Sequence, residues 1–429
     1  MMKNRQTITR RRFIRAAAAG VGLPAIVPAS VFGANTPSNR LTMGGIGIGG
    51  QGMHNLKNFL QCDDLRVLAV CDVDAGHLTR AKEEVNRTYG NGDCATYRDF
   101  RDLLARPDID TVLIATPDHW HALTAIAAAR AAKDIYCEKP ISLTIAEGRA
   151  VVEVMKRYGT VYQSGTQRRS IGAFRFAVDV ARGGMIGRLH TLHAYYHNGP
   201  TCPPQPVLPV PEGFDYDMWL GPAPCEPYTP LRCHGSFRWL YDYSGGQLTD
   251  LGAHFNDLAQ WANNSELTGP VTYEGWARFP TDGLFDTPVQ FEITATYADG
   301  VKMICHDETE PGRGPRGNKF EGDEGWVSVD DNGKVEARPE TILSTRNVVQ
   351  QGYAYMMGHH RDFLDCVRTR ATTIAPPEVA HRSTTTCHLS NICIRLGRKI
   401  IWDPKREQVV GDDETDRMLS RAMRAPWRL

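Results

Sequence analysis

The sequence predicts an α/β chain of two domains. The first is a doubly wound parallel sheet of the Rossmann type. The second is an α+β substrate domain on an open, mainly antiparallel sheet. Three observations predict this. Strand-like apolar runs alternate with helical stretches from Arg40 to Tyr162. A Gly-x-Gly-x-x-Gly run joins the first of those strands to the first helix. Beyond Val271 the pattern changes to β-rich runs divided by turn signals.

Arg40 to Ile46 is a short strand that feeds into Gly47-Ile48-Gly49-Gly50-Gln51-Gly52, and a helix runs from Met53 to Leu60. Leu65 to Cys71 is the second strand, with Asp72 at its end. Val112 to Ala115 is a buried strand, followed by a helix from Ala122 to Ala132. Asp134 to Cys137 precedes a helix from Ile145 to Tyr158, and Thr160 to Tyr162 opens a further strand. Alternation at this spacing requires right-handed βαβ units and a parallel sheet.

The glycine run has the context that gives it meaning. It follows a strand, opens a helix, and has an acid 20 residues after its last glycine. Gly47 permits the tight turn, Gly49 lets backbone reach a pyrophosphate, and Gly52 lets helix and strand pack closely. Gly50 and Gln51 belong to the same candidate loop. Asp72 would accept hydrogen bonds from both adenosine ribose hydroxyls and repel a 2′-phosphate, so NAD is expected rather than NADP. Asp74 is placed to share that role.

Ligands of such sheets bind outside the carboxyl ends of the strands. Thr116-Pro117-Asp118-His119-Trp120-His121 and Glu138-Lys139-Pro140 each follow a strand directly. Thr116, His119, His121 and Glu138 are candidate cofactor contacts, the alternative for the histidines being a helix start. Lys139 beside a nicotinamide would hold a substrate hydroxyl and stabilise negative charge developing on its oxygen. The plain alternative is an exposed cation paired to Glu138.

Gly165-Thr166-Gln167-Arg168-Arg169 leads to a helix, Ala173 to Ala181, and a strand, Arg188 to Asn198. Gly199 to Arg238 is a long Pro-rich loop, read as a rim over the site. Val271 to Phe279, Val289 to Tyr297, Lys302 to His306 and Trp326 to Val329 are strands. Helices are expected from Tyr353 to Arg368 and from Thr384 to Lys399, the last packing back on the first domain. Between loop and sheet lies Gly245-Gly246-Gln247-Leu248-Thr249-Asp250-Leu251-Gly252-Ala253-His254. On a helix, Asp250 and His254 share one face. They would form an acid/base couple whose carboxylate raises the histidine pKa or fixes its tautomer.

The glycine loop, the Thr116–His121 run and Glu138-Lys139-Pro140, in this order, resemble the Gfo/Idh/MocA oxidoreductases. The likeness runs from about Asn39 to at least Asp257, and more loosely to Lys399. The resemblance implies that Lys139 is catalytic, that Glu138 touches the nicotinamide side and that Gln167 contacts the nicotinamide. Its Gly-Gly-x-x-x-Asp-x-x-x-His motif implies that Asp250 and His254 stand beside Lys139, with His254 as general base. It also implies a sheet that joins subunits, hence a homodimer or homotetramer. Arg168 and Arg238 are candidates for binding sugar hydroxyls or a carboxylate. Tyr195 and Trp239 are candidate substrate contacts, Trp239 by stacking on a sugar ring. Tyr195 shares one strand face with His193 and His197. That face allows a metal pair, but no metal site is expected.

The expected activity is hydride transfer between a sugar, polyol or glycoside hydroxyl and a tightly held NAD. A redox-neutral, NAD-assisted glycoside hydrolase or lyase working through a keto sugar is the alternative. Glycosidase relatives carry Tyr-Pro-Thr-His where this chain has Thr249-Asp250-Leu251-Gly252. A non-catalytic sensor of sugar or cofactor is a third class, against which an intact Lys139, Asp250 and His254 argue.

Thr9-Arg10-Arg11-Arg12-Phe13-Ile14-Arg15 leads into an uncharged stretch from Ala16 to Val31. This pattern reads as a secretory signal and resembles the twin-arginine type. Residues 1–34 are therefore assigned to an export signal, 35–165 to the NAD-binding domain and 166–429 to the substrate domain. The expected location is the periplasm. The apolar run is too short to span a bilayer, so no membrane partner is expected. The 49 Lys+Arg and 49 Asp+Glu give zero formal charge, which argues against a nucleic-acid partner. Without its basic leader the chain is mildly acidic. No Cys-x-x-Cys occurs among the 11 cysteines, which disfavours a zinc ribbon. Cys202, Cys225 and Cys233 share a Pro-rich stretch, and an exported chain allows a disulfide among them.

Overall fold

The computed structural model describes residues 39–307, 316–345 and 357–429. The arginine-rich leader lies outside them. The first sheet has six parallel strands: β1 (Leu41–Ile46), β2 (Leu65–Cys71), β3 (Ala95–Tyr97), β4 (Thr111–Ile114), β5 (Asp134–Cys137) and β6 (Tyr162–Ser164). Their order is β3-β2-β1-β4-β5-β6. Direction of winding reverses between β1 and β4, and a crevice opens there at the strand ends. Every residue of β4 and β5 is buried, as strands covered on both faces require.

Five helices cover this sheet: α1 (Gly50–Phe59), α2 (Ala75–Tyr89), α3 (Phe100–Leu104), α4 (Asp118–Arg130) and α5 (Ile145–Tyr158). Asp74 caps α2 by accepting from the amides of Gly76 and His77, and Asp99 caps α3 through Arg101 N. α2 and β3 are additions to the elements expected from the sequence. Only Ala81 and Val85 of α2 are buried, and β3 is three residues long.

Beyond β6 come α6 (Gly172–Arg182), β7 (Leu189–Tyr195), α7 (Tyr216–Leu220), α8 (Gln247–Asp250) and α9 (Gly252–Ala262). The second sheet adds β8 (Thr272–Arg278), β9 (Gln290–Thr296), β10 (Lys302–His306), β11 (Gly317–Gly322), β12 (Gly325–Asp330), β13 (Val335–Arg338), β14 (Ile400–Asp403) and β15 (Gln408–Val409). Its order is β13-β12-β11-β7-β10-β9-β8-β14-β15. Neighbours are antiparallel except β7 and β10, which are parallel. Strand alternation sends Leu192, Ala194, Ile293, Ala295, Met303 and Cys305 into the core. β11, β13, β14 and β15 are short or polar and have no clear sequence signal.

Three more helices follow, α10 (Met357–Thr369), α11 (Pro377–Leu396) and α12 (Asp413–Arg417). α11 begins earlier than its apolar pattern suggests, because Pro377 suits the first helical turn, where no intrahelical N–H is needed. It ends at Gly397 in the left-handed conformation. Arg149 of α5 donates to both oxygens of Glu378 at 2.7 and 2.9 Å, fastening α11 to the first sheet's helices. Leu41–Leu429 is one compact unit, so the two sheets do not form loosely tethered bodies. All eleven cysteines are free, so no disulfide joins Cys202, Cys225 and Cys233. No helix among the described residues is long and apolar enough to cross a membrane.

Candidate active site

A cavity of about 650 Å³ opens at the carboxyl ends of β1, β2, β4 and β5 and extends to the second sheet. Its volume is ordinary for a small-molecule site. At one end lies the glycine loop. Gly47 has φ +77°, and a Cβ there would stand 2.6 Å from Thr116 N. A Cβ on Gly52 would stand 2.1 Å from Gly47 O, whereas Gly50 faces open space. Turn and helix therefore touch backbone to backbone, and the amino end of α1 points into the cavity. Asp72 is 7% exposed and lies in the cavity wall. One of its oxygens accepts from Asp74 N at 2.9 Å and faces His77 Nδ1 at 3.5 Å. A glycine cradle at a helix start with a carboxylate on the next strand fits NAD.

The long loop closes this end. Ala75 N donates to Gly213 O, and Asp215 N donates to Val73 O, both at 3.0 Å. Phe214, His234 and Phe237 thereby join the wall. Ligand-type atoms of Asp74, His77 and His234 lie within 4.8 Å of one another, but Asp74 Oδ1 is already engaged as the cap of α2.

The cavity centre is organised by Glu138. Its Oε1 accepts from Asn55 Nδ2 at 2.7 Å, Gln167 Nε2 at 2.8 Å and Gln51 Nε2 at 3.3 Å. Gln167 is 1% exposed and outside the cavity wall, and its hydrogen bond positions Glu138. Thr116 and His121 line the cavity. The His121 ring spans Pro140 O at 2.6 Å and Thr116 O at 2.8 Å, tying the two strand-end loops together. His119 lies outside the cavity. It is fully buried outside the wall, with Nε2 2.9 Å from Trp219 O and its ring among Trp120, Trp219 and Tyr243. His119 and His121 are the second and fourth residues of α4 and point in different directions, so of the two only His121 faces the crevice.

At the far end Lys139 turns away from Glu138. Its Nζ donates to Asp250 Oδ1 at 2.6 Å and Asp250 O at 2.8 Å. Arg238 Nε reaches the same Oδ1 at 2.9 Å. Burial by itself would raise the Asp250 carboxyl, but Lys139 and Arg238 outweigh it and hold it well below the carboxylate range. Asp250 and His254 do not share one unbroken helix. α8 stops at Asp250 and α9 starts at Gly252. Nor does the carboxylate raise the histidine. Burial, then the charges of Arg168 and Lys139, push the His254 pKa well below its usual value. His254 Nδ1 is buried with no hydrogen-bond partner among the described residues. The result is a neutral imidazole beside a cationic lysine.

Several wall residues carry no assignment in the sequence reading. Asp118 accepts from Ser244 Oγ at 2.5 Å, and burial pushes its carboxyl up to about 7. It sits inside the Thr116–His121 run, so the motif itself was the signal. Arg316 and Asp331 come from the margins of β11 and β12, Asp331 from an Asp-Asn-Gly turn signal and Arg316 from a stretch with no motif. Arg168 Nε donates to Asp331 Oδ1 at 2.8 Å, and Arg316 Nη2 pairs with Asp331 Oδ2. Tyr195 and Trp239 are outside the wall. Tyr195 stacks on His193 and His306 on the open face of the second sheet, while Trp239 packs against the apolar cluster beneath the long loop. Period-two geometry fixes the first of these: Ala194 faces the core, so Tyr195 faces away.

Two family models match the chain. The oxidoreductase family's NAD-binding Rossmann fold (GFO_IDH_MocA) covers residues 41–166, and its C-terminal alpha/beta domain (GFO_IDH_MocA_C2) covers 194–429. The chain is 30% identical over 180 residues to a myo-inositol 2-dehydrogenase of Thermotoga maritima, covering 42% of this chain and 52% of that protein. It is 29% identical over 358 residues to a glycosyl hydrolase family 109 protein of Stenotrophomonas maltophilia, covering 77% and 76%. Among solved structures, an oxidoreductase domain protein from Kribbella flavida superposes with a TM-score of 0.66 at 20% identity, covering 87% of this chain and all of that one. An aldose-aldose oxidoreductase from Caulobacter crescentus superposes with a TM-score of 0.65 at 18% identity, over 84% and 99%. At these identities the structures speak for the fold.

Proposed function

From the premise that the chain belongs to the Gfo/Idh/MocA oxidoreductase family and carries its NAD-binding Rossmann domain, we propose that it is a dehydrogenase of a sugar, polyol or glycoside hydroxyl. The observation that carries this is the placement of Lys139, Asp250 and His254 in one cavity with the glycine cradle. When bound, NAD supplies a ring carbon that accepts or returns hydride. The chain supplies the rest. His254, neutral at pH 7, takes the hydroxyl proton. Lys139, held by Asp250, points its charge at the substrate oxygen and stabilises the negative charge that develops there. Arg238 donates to the same oxygen of Asp250 and holds the carboxylate in place for the lysine. The export signal assigned to residues 1–34 supports a periplasmic enzyme that carries NAD out already bound and recycles it in place. Assembly into dimers or tetramers through the open face of the second sheet is part of the proposal. Trp276, 51% exposed on β8, supports it.

The glycosyl hydrolase relative favours a second reading, redox-neutral glycoside cleavage through a keto sugar. One experiment separates the two. Purified protein is given sugars, polyols and glycosides while bound-cofactor absorbance and released product are followed together. A lasting absorbance change without cleavage supports the dehydrogenase. Cleavage without net absorbance change supports the hydrolase or lyase. No response in either channel with NAD bound overturns the enzyme reading.

A further inference from the structure

The reaction end of the cavity has more positive charge than proton transfer from a neutral hydroxyl uses. Two clusters provide it. In the first, Lys139 and Arg238 share the single carboxylate of Asp250. In the second, Arg168 and Arg316 share the single carboxylate of Asp331. Among the described residues each cluster, two cations on one anion, has a formal surplus of one. Both line the cavity, and His254 lies in it with them. The surplus at Lys139 has a use, since it faces the oxygen that gains negative charge during oxidation. The surplus at Arg168 and Arg316 has no counterpart in that step.

The second cluster is also built to last. Arg168 and Asp331 are nearly buried, with side chains 4% and 11% exposed. Arg168 lies over the ring of Phe255, its Cζ 4.8 Å from the centroid, which fixes the plane of the guanidinium. Arg316 Nε is buried with no hydrogen-bond partner among the described residues. The Arg316 side chain as a whole is 32% exposed and lines the cavity, so its charge is open to a ligand there. The neutral state of His254 tells of the same field, because Arg168, Lys139 and Arg316 all act to keep a proton off it.

We propose that Arg168 and Arg316, fixed by Asp331, form a subsite for a carboxylate on the substrate, so that the enzyme prefers a sugar acid to the neutral sugar. This rests on the dehydrogenase reading above. A carboxylate matches the site in charge, one negative against a surplus of one, and in shape, since guanidinium forks pair with planar carboxylates. A phosphate dianion overfills that surplus.

The test uses matched pairs, glucose with glucuronate and galactose with galacturonate, with glucose 6-phosphate as the dianion. Cofactor reduction gives kcat/KM, and calorimetric titration gives affinity without turnover. The acid of at least one pair is expected to exceed its neutral partner by about tenfold or more, the scale of one charge-assisted bidentate contact. Arg316→Gln is expected to shrink that ratio several-fold, chiefly through KM, with Arg316→Lys recovering part of it. NAD binding by each variant, measured by thermal shift, verifies that it is folded. Equal or better use of the neutral sugar, preference for the phosphate, or a ratio that Arg316→Gln leaves alone overturns the subsite. In each of those cases cofactor is still reduced and the dehydrogenase reading survives. If no sugar, neutral or acidic, reduces bound NAD, that reading falls and the subsite falls with it.

Discussion

The two ends of the cavity are made in different ways. The nucleotide end consists of main chain and glycine, contributed by consecutive residues Gly47 to Gly52 and closed by Asp72 one strand later. The reaction end consists of long charged side chains. Lys139 comes from the end of β5, Arg168 from the turn after β6, Arg238 from the loop, Asp250 and His254 from two helices, and Arg316 from the edge of β11. Gly47 and Gly52 touch backbone there, so those two positions tolerate almost no substitution. Side chains can be exchanged singly, so the reaction end is where relatives on one fold can diverge in substrate. The difference also separates the consequences of damage. Changes at one end should strike cofactor affinity, and changes at the other should strike turnover.

The sharpest test is His254→Asn, expected to lower kcat by about 10²–10⁴-fold, the range for a general base, with NAD affinity nearly unchanged. The pH profile refines it. Because burial and the neighbouring cations push the His254 pKa down, the base form persists as pH falls through 6.5. The acid limb of kcat/KM should therefore lie well below that, and a limb centred near 6.5 would remove His254 from the role. Lys139→Ala comes next, with kcat reduced by about 10²–10³-fold and cofactor still bound. If it turns over substrate normally while retaining its ligands, the enzyme reading should be abandoned.

Gly52→Ala probes the opposite end. Its new Cβ meets Gly47 O at 2.1 Å, so α1 must move away from β1. An overpacking cost of about 1–3 kcal/mol is expected, seen as a lower Tm and weaker NAD binding. Asp72→Asn is the mildest. It exchanges a charge-assisted acceptor for a neutral one, and about tenfold weaker NAD binding is expected, with improved NADP binding relative to NAD. Isothermal titration with both nucleotides measures it. A large fall in kcat at saturating NAD for either variant would mean that the two ends are not separable.

The first sheet was legible because parallel strands buried on both faces write themselves as continuous apolar runs, as in Thr111–Ile114. α2 was harder to see, since only Ala81 and Val85 of its stripe are fully buried while Leu78 and Tyr89 pack on the core in part and charged residues fill the rest. The same contrast runs through the histidines. His119 and His121 occupy one motif, yet His119 is sealed behind Trp219 and His121 faces the cavity, a difference of helical phase that spacing alone does not register. Asp250 and His254 have the interval of a helix face, but the chain breaks between them at Leu251, and the carboxylate serves Lys139 instead.

The sequence by itself determined the NAD-binding half of this protein, because glycine spacing, strand alternation and a carboxylate at a strand end act through bonds only a few residues apart. Tertiary structure alone decided how the charges are shared. Which carboxylate Lys139 takes, whether His254 is protonated, and that Arg168 and Arg316 meet on Asp331 all depend on burial and on through-space distances of a few ångströms. Coulomb interactions and desolvation have that range in space, and they leave no period in the chain.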